Sequence, residues 1–460
     1  MEVSLGALSR NFAKIKALAP SARILPMVKG DAYGHGIVPV SKHLVDVCGV
    51  TRLGVASLHE AVTIINGIPS FAADSKFEVV VFSDTEIHSA ACRSFIYNRS
   101  GPSHLALPES SIAGEADVVA LTDICNANII PVIGTAEDLS LFLGLIKPKN
   151  AATTCTECFN RLPLFIKVNT GMNRMGLTPE VLKTFIPAIK ERRGGKIDLL
   201  LQHFSSSWIQ QTANDTTTKQ YARFKEIQQF LENDGVSVKE TSVSNSGAIE
   251  QGVGVEETWV RPGLMLYGAP SVVGESSTIT DLQVKERYTP IYNGEVVGSF
   301  QTKIINVYPI TQADLDSSEP KGTMNVGYGF NAVRGPCVIA LLPIGYADGF
   351  LRYNTGLRIS VDCGSSGSRK KVLVGEVHGF VNMDITQLAF YPDDDADEST
   401  TSGASSIDEI VSLLHQEQKV VVWGHDDNRD IHAKATFLKT NAYQLLTAVS
   451  VRIPRKYVAE

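Results

Sequence analysis

Apolar residues in the first part of the chain gather in short runs, separated by stretches in which they recur every three or four positions. The runs are RILPMVK, RLGVAS, EVVVFSD, NIIPVIG, LPLFIKVNT, IDLLLQHF, ETSVSNS and TWVRPGLMLYG. Short apolar runs bounded by turn residues read as buried strands, and a period near 3.6 reads as an amphipathic helix. Each of the first seven runs is followed by such a helical stretch. Thr178 is placed to cap TPEVLKTFIPAIKERR, and Gly235 to stop TTTKQYARFKEIQQFLENDG. Eight strands alternating with helices predict an α/β fold, an amino-terminal (β/α)8 TIM barrel over residues 1–287.

Beyond about Arg287 the pattern changes. GEVVGSFQTKIINVYPI, GPCVIALLPIGYADGF, GLRISVDCG and QKVVVWGH are β-rich segments with turn residues between them, predicting a carboxyl-terminal mostly-β domain over residues 288–460. PDDDADESTTSGASSIDE is acidic and nearly free of aliphatic residues, so it reads as a solvated loop insertion. Insertions around Cys155 and from Thr311 to Lys321 read as further surface additions. KTNAYQLLTAVSVRIP predicts a last amphipathic helix ending at Pro454.

Composition narrows the class of partner. The 460 residues carry a net charge of -7, with lysine and arginine scattered, which disfavours nucleic acid. No run of about 18 apolar residues is present, so no membrane-spanning helix is expected. The opening MEVSLGALSRNFAKIKAL has a helical period and no signal-peptide core, making a cytoplasmic location the expectation. Seven cysteines spread through a large chain do not form a disulfide framework. Cys155 and Cys158 form a CxxC without a second pair or a nearby histidine, so no metal site is expected.

In such barrels the chemistry gathers at the carboxyl ends of the strands. Those ends carry Lys29, the stretch KVNTGMNRMG, His203, SNSG and RPGL. The last two are where a phosphate should sit, with the Ser246 hydroxyl and backbone N–H groups of Gly263 and Leu264 facing an anion. A strand-end lysine facing a phosphate site suggests pyridoxal phosphate held as a Schiff base. Spacing alone leaves open the alternative that Lys29 merely snorkels. Gly30, Gly34 and Gly36 would let the following turn take positive φ or approach a ligand closely.

The stretch MVKGDAYGHG resembles the cofactor-lysine motif of the alanine racemase family. The resemblance continues through GVASLHEA, KVNTGMNRMGL, QHF, NSGA, RPGLMLYG, VGYGF, PIGYADG, VNMD and NAYQLLTAVSVRIPRKY, in the family's order and over nearly the whole chain. It implies the barrel and β domain reached above from pattern. It also implies pyridoxal 5'-phosphate as cofactor and the interconversion of L- and D-alanine by two-base proton transfer.

Carried over residue by residue, Lys29 matches the Schiff-base lysine and the base for the D-amino acid. Tyr328 matches the base for the L-amino acid; on spacing alone it would read as an aromatic filling a turn. Arg261 matches the arginine facing the pyridine nitrogen, with His203 beside the cofactor. Tyr33, Ser246, Gly263, Leu264 and Tyr443 match the phosphate-contacting set. Arg174 and Met383 match the groups that hold the substrate carboxylate. Lys167 matches a lysine that family members often carbamylate to orient that arginine. Asp384 and Tyr346 match supporting positions. In the family the tyrosine base and the methionine come from the other subunit, so the resemblance implies a homodimer with shared active sites.

The chain departs from the family's pattern at Asn169, where an aspartate is usual. Phe380 and Asn382 stand where an arginine and a cysteine are usual, and Trp208 lies in an altered QHFSSSW segment. Arg352 retains an outer cation. These changes leave serine or a broader set of amino acids open as substrates. A fold-related pyridoxal phosphate decarboxylase would need an acid in place of Arg261 and no Tyr328. A non-catalytic carrier would lack the β domain.

Overall fold

A computed structural model describes residues 1–73, 76–84, 129–146, 159, 162–209, 216–269, 292–329, 331–363, 371–392, 406–424 and 431–459. Cys155, Cys158 and most of the acidic insertion after Pro392 lie outside the described residues. The chain forms two compact units, one built on residues 8–269 and 292–294, the other on residues 1–7 and 295–459.

The first strand, β1 (Glu2–Ser4), belongs to the second unit. The barrel follows in β2 (Arg23–Ile24), β3 (Arg52–Ser57), β4 (Glu78–Asp84), β5 (Ile129–Ile133), β6 (Phe165–Lys167), β7 (Lys196–Leu201), β8 (Ser237–Asn245) and β9 (Trp259–Arg261). They coincide with the eight apolar runs. All neighbours pair in parallel, in the order β2, β9, β8, β7, β6, β5, β4, β3. The two ends of that order meet where Met27, just past β2, bridges Gly54 of β3. Gly54 leaves room there for the Met27 side chain, whose Sδ would lie 2.5 Å from a Cβ. The strands read as continuous apolar runs because both faces of a parallel barrel strand are covered; all five residues of β5 are buried.

The starts of the strands are sealed by a paired ionic cluster. Arg52 bridges Glu78 and Glu240, Trp259 Nε1 donates to Glu240 at 2.8 Å, and the guanidiniums of Arg23 and Arg52 lie 4.1 and 4.3 Å from the Trp259 ring centroid. Outside, the helices Pro179–Arg193 and Thr216–Asn233 form where the periodicity places them. Thr178 caps the first through Val181 N, and Gly235 follows the second at φ 70°.

The second unit holds β10 (Gly298–Lys303), β11 (Asn306–Ile310), β12 (Cys337–Leu342), β13 (Arg358–Cys363), β14 (Lys371–Val377), β15 (Thr386–Phe390), β16 (Lys419–Trp423) and β17 (Lys456–Val458). One sheet runs β16, β10, β1, β17 and the other β11, β12, β15, β14, β13. The amino-terminal strand joins this unit because it pairs antiparallel with β10 and parallel with β17.

Two details differ from expectation. The Thr311–Lys321 insertion is more than a surface addition: a capping box at Thr311 and Asp314 starts the helix Gln312–Ser317, which sends Leu315 into a core with Ile310, Val326, Val333 and Ile339. The last helix spans only Ala442–Ala448 and stops well before Pro454, because Ser450 N turns away to donate to Asp348 O at 3.0 Å. Among the described residues no helix is long and apolar enough to cross a membrane, and no group of three or more His, Cys, Asp and Glu could hold a metal ion.

Candidate active site

Lys29 directly follows the strand segment that closes the barrel, and the chain beyond it coils the unusual way. Gly30, Asp31, Ala32 and Tyr33 have φ of 63°, 54°, 54° and 53°, and Gly34 N donates to Gly30 O at 2.8 Å, making one turn of left-handed helix. Three of these are L-residues with side chains, at roughly 3–6 kcal/mol of backbone cost together. The turn persists because it is fastened. Gly30 N donates to Glu60 Oε1 at 2.6 Å, Ile37 N to Asp31 Oδ1 at 2.8 Å, and the Tyr33 ring stacks on Tyr267 at 4.9 Å. Glu60 also accepts from Ala56 N and Ser57 N at 2.7 and 3.2 Å.

The turn brings the Tyr33 hydroxyl to the phosphate candidates. A Cβ on Gly263 would lie 2.2 Å from Tyr33 Oη, and Gly263 N donates to Ser246 Oγ at 2.9 Å. Leu264 opens the 3-10 turn Leu264–Tyr267, so its N–H has no partner within that turn. Tyr33, Ser246, Gly263 and Leu264 thus lie together. Tyr443 lies in the other unit, 41% exposed on its short helix.

A cluster of cations surrounds Lys29. Partial desolvation, then Arg174 and Arg261, lowers the Lys29 pKa against the opposing pull of Glu60. Burial, then Arg261, Arg174 and Lys29, brings Lys167 down to about 8. Burial and the same four cations hold His203 well below the usual imidazole range, so it is a neutral hydrogen-bonding group near pH 7. Lys167 makes no side-chain hydrogen bond or ion pair among the described residues. Asn169, the departure beside it, turns its Oδ1 into its own loop and accepts from Gly171 N and Asn173 N at 3.0 and 3.1 Å.

Arg261 is fully enclosed. Its Nη1 donates to Ser242 Oγ and its Nη2 to Gln202 O, both at 2.5 Å, with Val243 O at 3.3 Å. Its Nε–H has no partner among the described residues, and burial brings its pKa down to about 10. The amide nitrogen of Gln202 is likewise buried and unpartnered. Cations, an open amide and an open guanidinium N–H, with the Glu60 carboxylate opposing the cations at Lys29, describe a site for an anion.

The second unit carries its own group of candidates. Tyr328, Tyr346, Met383 and Asp384 line one concavity of about 730 Å³, together with Arg352, Phe380 and Asn382. Two loops are locked there, with Tyr346 N donating to Asn382 O and Ala347 N to Met383 O at 3.0 and 3.1 Å. The Met383 N–H has no partner among the described residues.

Two residues escaped the reading of the sequence. Glu60 fastens the Lys29 turn, and Ser57-x-x-Glu60 is a capping box that a motif search would find. Arg452 donates to Asp348 Oδ1 and Asp384 Oδ1, each at 2.7 Å, joining the two loops of the concavity from more than sixty residues away, with no local signal.

A closed parallel barrel with a cationic centre at the carboxyl ends of its strands, joined to a β-rich unit, defines the class of two-domain barrel enzymes. Residues 3–271 match the model of the alanine racemase N-terminal domain and residues 316–457 that of the C-terminal domain. The chain is 29% identical to an alanine racemase of Thermodesulfovibrio yellowstonii, covering 100% of this chain and 97% of that one. It is 27% identical to one from Halothermothrix orenii, covering 99% and 96%. Solved alanine racemases from Streptomyces coelicolor and from Bacillus anthracis, the latter with bound L-Ala-P, share the fold. Their TM-scores are 0.70 and 0.69, at 19% and 20% identity over 100% and 99% of this chain and 97% and 94% of theirs. The chain belongs to the alanine racemase family.

Proposed function

We propose that this protein interconverts L- and D-alanine with pyridoxal 5'-phosphate, as a homodimer in the cytoplasm. The observation that carries the reading is the meeting of Lys29, Lys167, Arg174, His203 and Arg261 at one end of the barrel. The residues fit the cofactor. Lys29 would hold it covalently, and Tyr33, Ser246, Gly263, Leu264 and Tyr443 would hold its phosphate. The open Arg261 Nε–H would face its ring nitrogen beside His203. When bound, the cofactor supplies an electron sink that makes the amino acid's α-proton removable.

The chain's own groups do the rest. The lowered pKa of Lys29 supports its use as the base toward D-alanine. Tyr328 takes the proton of L-alanine at the opposite face, and a positioned base contributes about 10²–10⁴-fold. Arg174 and the open Met383 N–H hold the substrate carboxylate, with Asp384 and Tyr346 supporting that loop. Tyr328 and Met383 are 70% and 52% exposed, which supports a site completed by a second copy of the chain. The depressed pKa of Lys167 supplies neutral amine near pH 8, to which carbon dioxide would add with loss of an N–H proton to solvent, leaving an anionic carbamate that would orient Arg174.

Loss of optical rotation over a panel of L-amino acids tests the reading. Alanine should be the fastest substrate; faster turnover of serine would move the assignment to a serine or broad-specificity racemase. Tyr328→Phe should lose racemisation, and Lys29→Ala should lose the near-visible absorption band that alanine perturbs.

A further inference from the structure

Tyr328 is 70% exposed and lies in a segment that forms no extended strand, yet a general base must be held to within a fraction of an ångström. Its supports come from its own loop and from the facing stretch that holds Phe380. A single antiparallel bridge pairs Tyr328 with Phe380. The next residue, Gly329 at φ 88°, presses on the Phe380 ring so closely that a Cβ would lie 3.0 Å from Cε2 and 3.2 Å from Cδ2. Asn331 Nδ2 donates to Tyr328 O at 2.9 Å, and the ring nitrogen of His378 meets Asn331 O at 3.1 Å.

Phe380 is itself 42% exposed and takes no part in the core cluster around Ile310 and Val326. A large aromatic left this open contributes little to core burial. Its ring is instead flanked by the Gly329 backbone and by the Arg352 guanidinium, 5.0 Å from the ring centroid. We propose that Phe380 is the positioning residue of the Tyr328 base: its ring, steadied by Arg352, seats Gly329 and so fixes where the phenol points. The flat face matters, because a flexible side chain would let the Tyr328–Gly329 backbone rotate and swing the hydroxyl at the end of the long side chain.

This rests on Tyr328 acting as the base toward L-alanine, and α-deuterium isotope effects in the two directions test it on the holoenzyme. Misplacing the phenol slows the Tyr328 step and leaves the Lys29 step alone. In Phe380→Ala, kcat/KM should fall about 10- to 100-fold. The isotope effect with α-deuterated L-alanine should rise while that with α-deuterated D-alanine falls. Phe380→Tyr, which keeps the ring face, should restore both. Phe380→Leu serves as the second variant should the alanine variant melt early, and it should shift the two effects the same way by less. Isotope effects that stay put, or move together in both directions, overturn the proposal. Tyr328→Phe is measured in parallel: full racemisation there removes the two-base reading itself, whereas loss there with unmoved isotope effects in the Phe380 variants removes only the positioning role.

Discussion

Tyr33 holds its hydroxyl where a side chain on Gly263 would have to stand, 2.2 Å from the Cβ position. Tyr33 has nowhere to retreat, since it sits at φ 53° in a left-handed turn and stacks on Tyr267. Gly263→Ala should therefore weaken pyridoxal phosphate binding at least about tenfold and cost about 1–3 kcal/mol of stability through overpacking. Adding Tyr33→Phe should return much of the stability without returning the affinity. Thermal melting and absorbance titration with pyridoxal phosphate separate the two effects.

Glu60 answers for the turn that presents Lys29. Its carboxylate accepts from Gly30 N, Ala56 N and Ser57 N, and Glu60→Ala should cost about 2–4 kcal/mol by urea denaturation. Glu60→Gln should act on chemistry as well. The carboxylate raises the Lys29 pKa, so its neutralisation lowers that pKa further, and pyridoxal phosphate should react with Lys29 at lower pH than in the wild type.

Lys167 should make stability depend on pH in a definite sense. Its folded pKa of about 8 lies below the ordinary lysine value of 10.5, so between these values the unfolded chain binds the proton that the folded chain has lost, and stability rises with pH. Below about pH 8 the buried cation costs up to roughly 3 kcal/mol. In bicarbonate-free buffer without cofactor, Lys167→Met should be the more stable protein at pH 7, with the difference closing toward pH 10.5. Bicarbonate should stabilise the wild type near pH 8 and leave the variant unchanged, as read by thermal melting.

Arg261 divides its donors between the protein and an open direction. Nη1 and Nη2 are committed to Ser242 Oγ, Gln202 O and Val243 O, a fork that an ammonium cannot reproduce. Arg261→Lys should keep the charge yet lose about 1–3 kcal/mol from buried acceptors left unpaired. Its cofactor absorption band should also shift, which a spectral titration would show.

Much of the fold was legible along the chain. Most barrel strands are runs buried on both faces, and some helices between them carry a local start or stop residue, Thr178 for one and Gly235 for another. These are local signals that burial and backbone sterics write into neighbouring residues. The Leu315 insertion and the short last helix were not legible, because each is decided by a partner far along the chain: the core around Ile339 for one, Asp348 O for the other.

The candidate site divides in the same way. The glycines, the strand-end lysines and the order of the motifs are properties of the sequence by itself, and they determined the barrel, the family and the residues worth naming. Only the tertiary structure decided that Gly30 to Tyr33 coil left-handed under Glu60, that Asn169 Oδ1 is committed to its own loop, and that Tyr328 pairs with Phe380. The reason is that local pattern encodes which faces are buried. Which charges and rings then meet depends on strand order and loop closure, and these bring together residues between which the intervening sequence carries no signal.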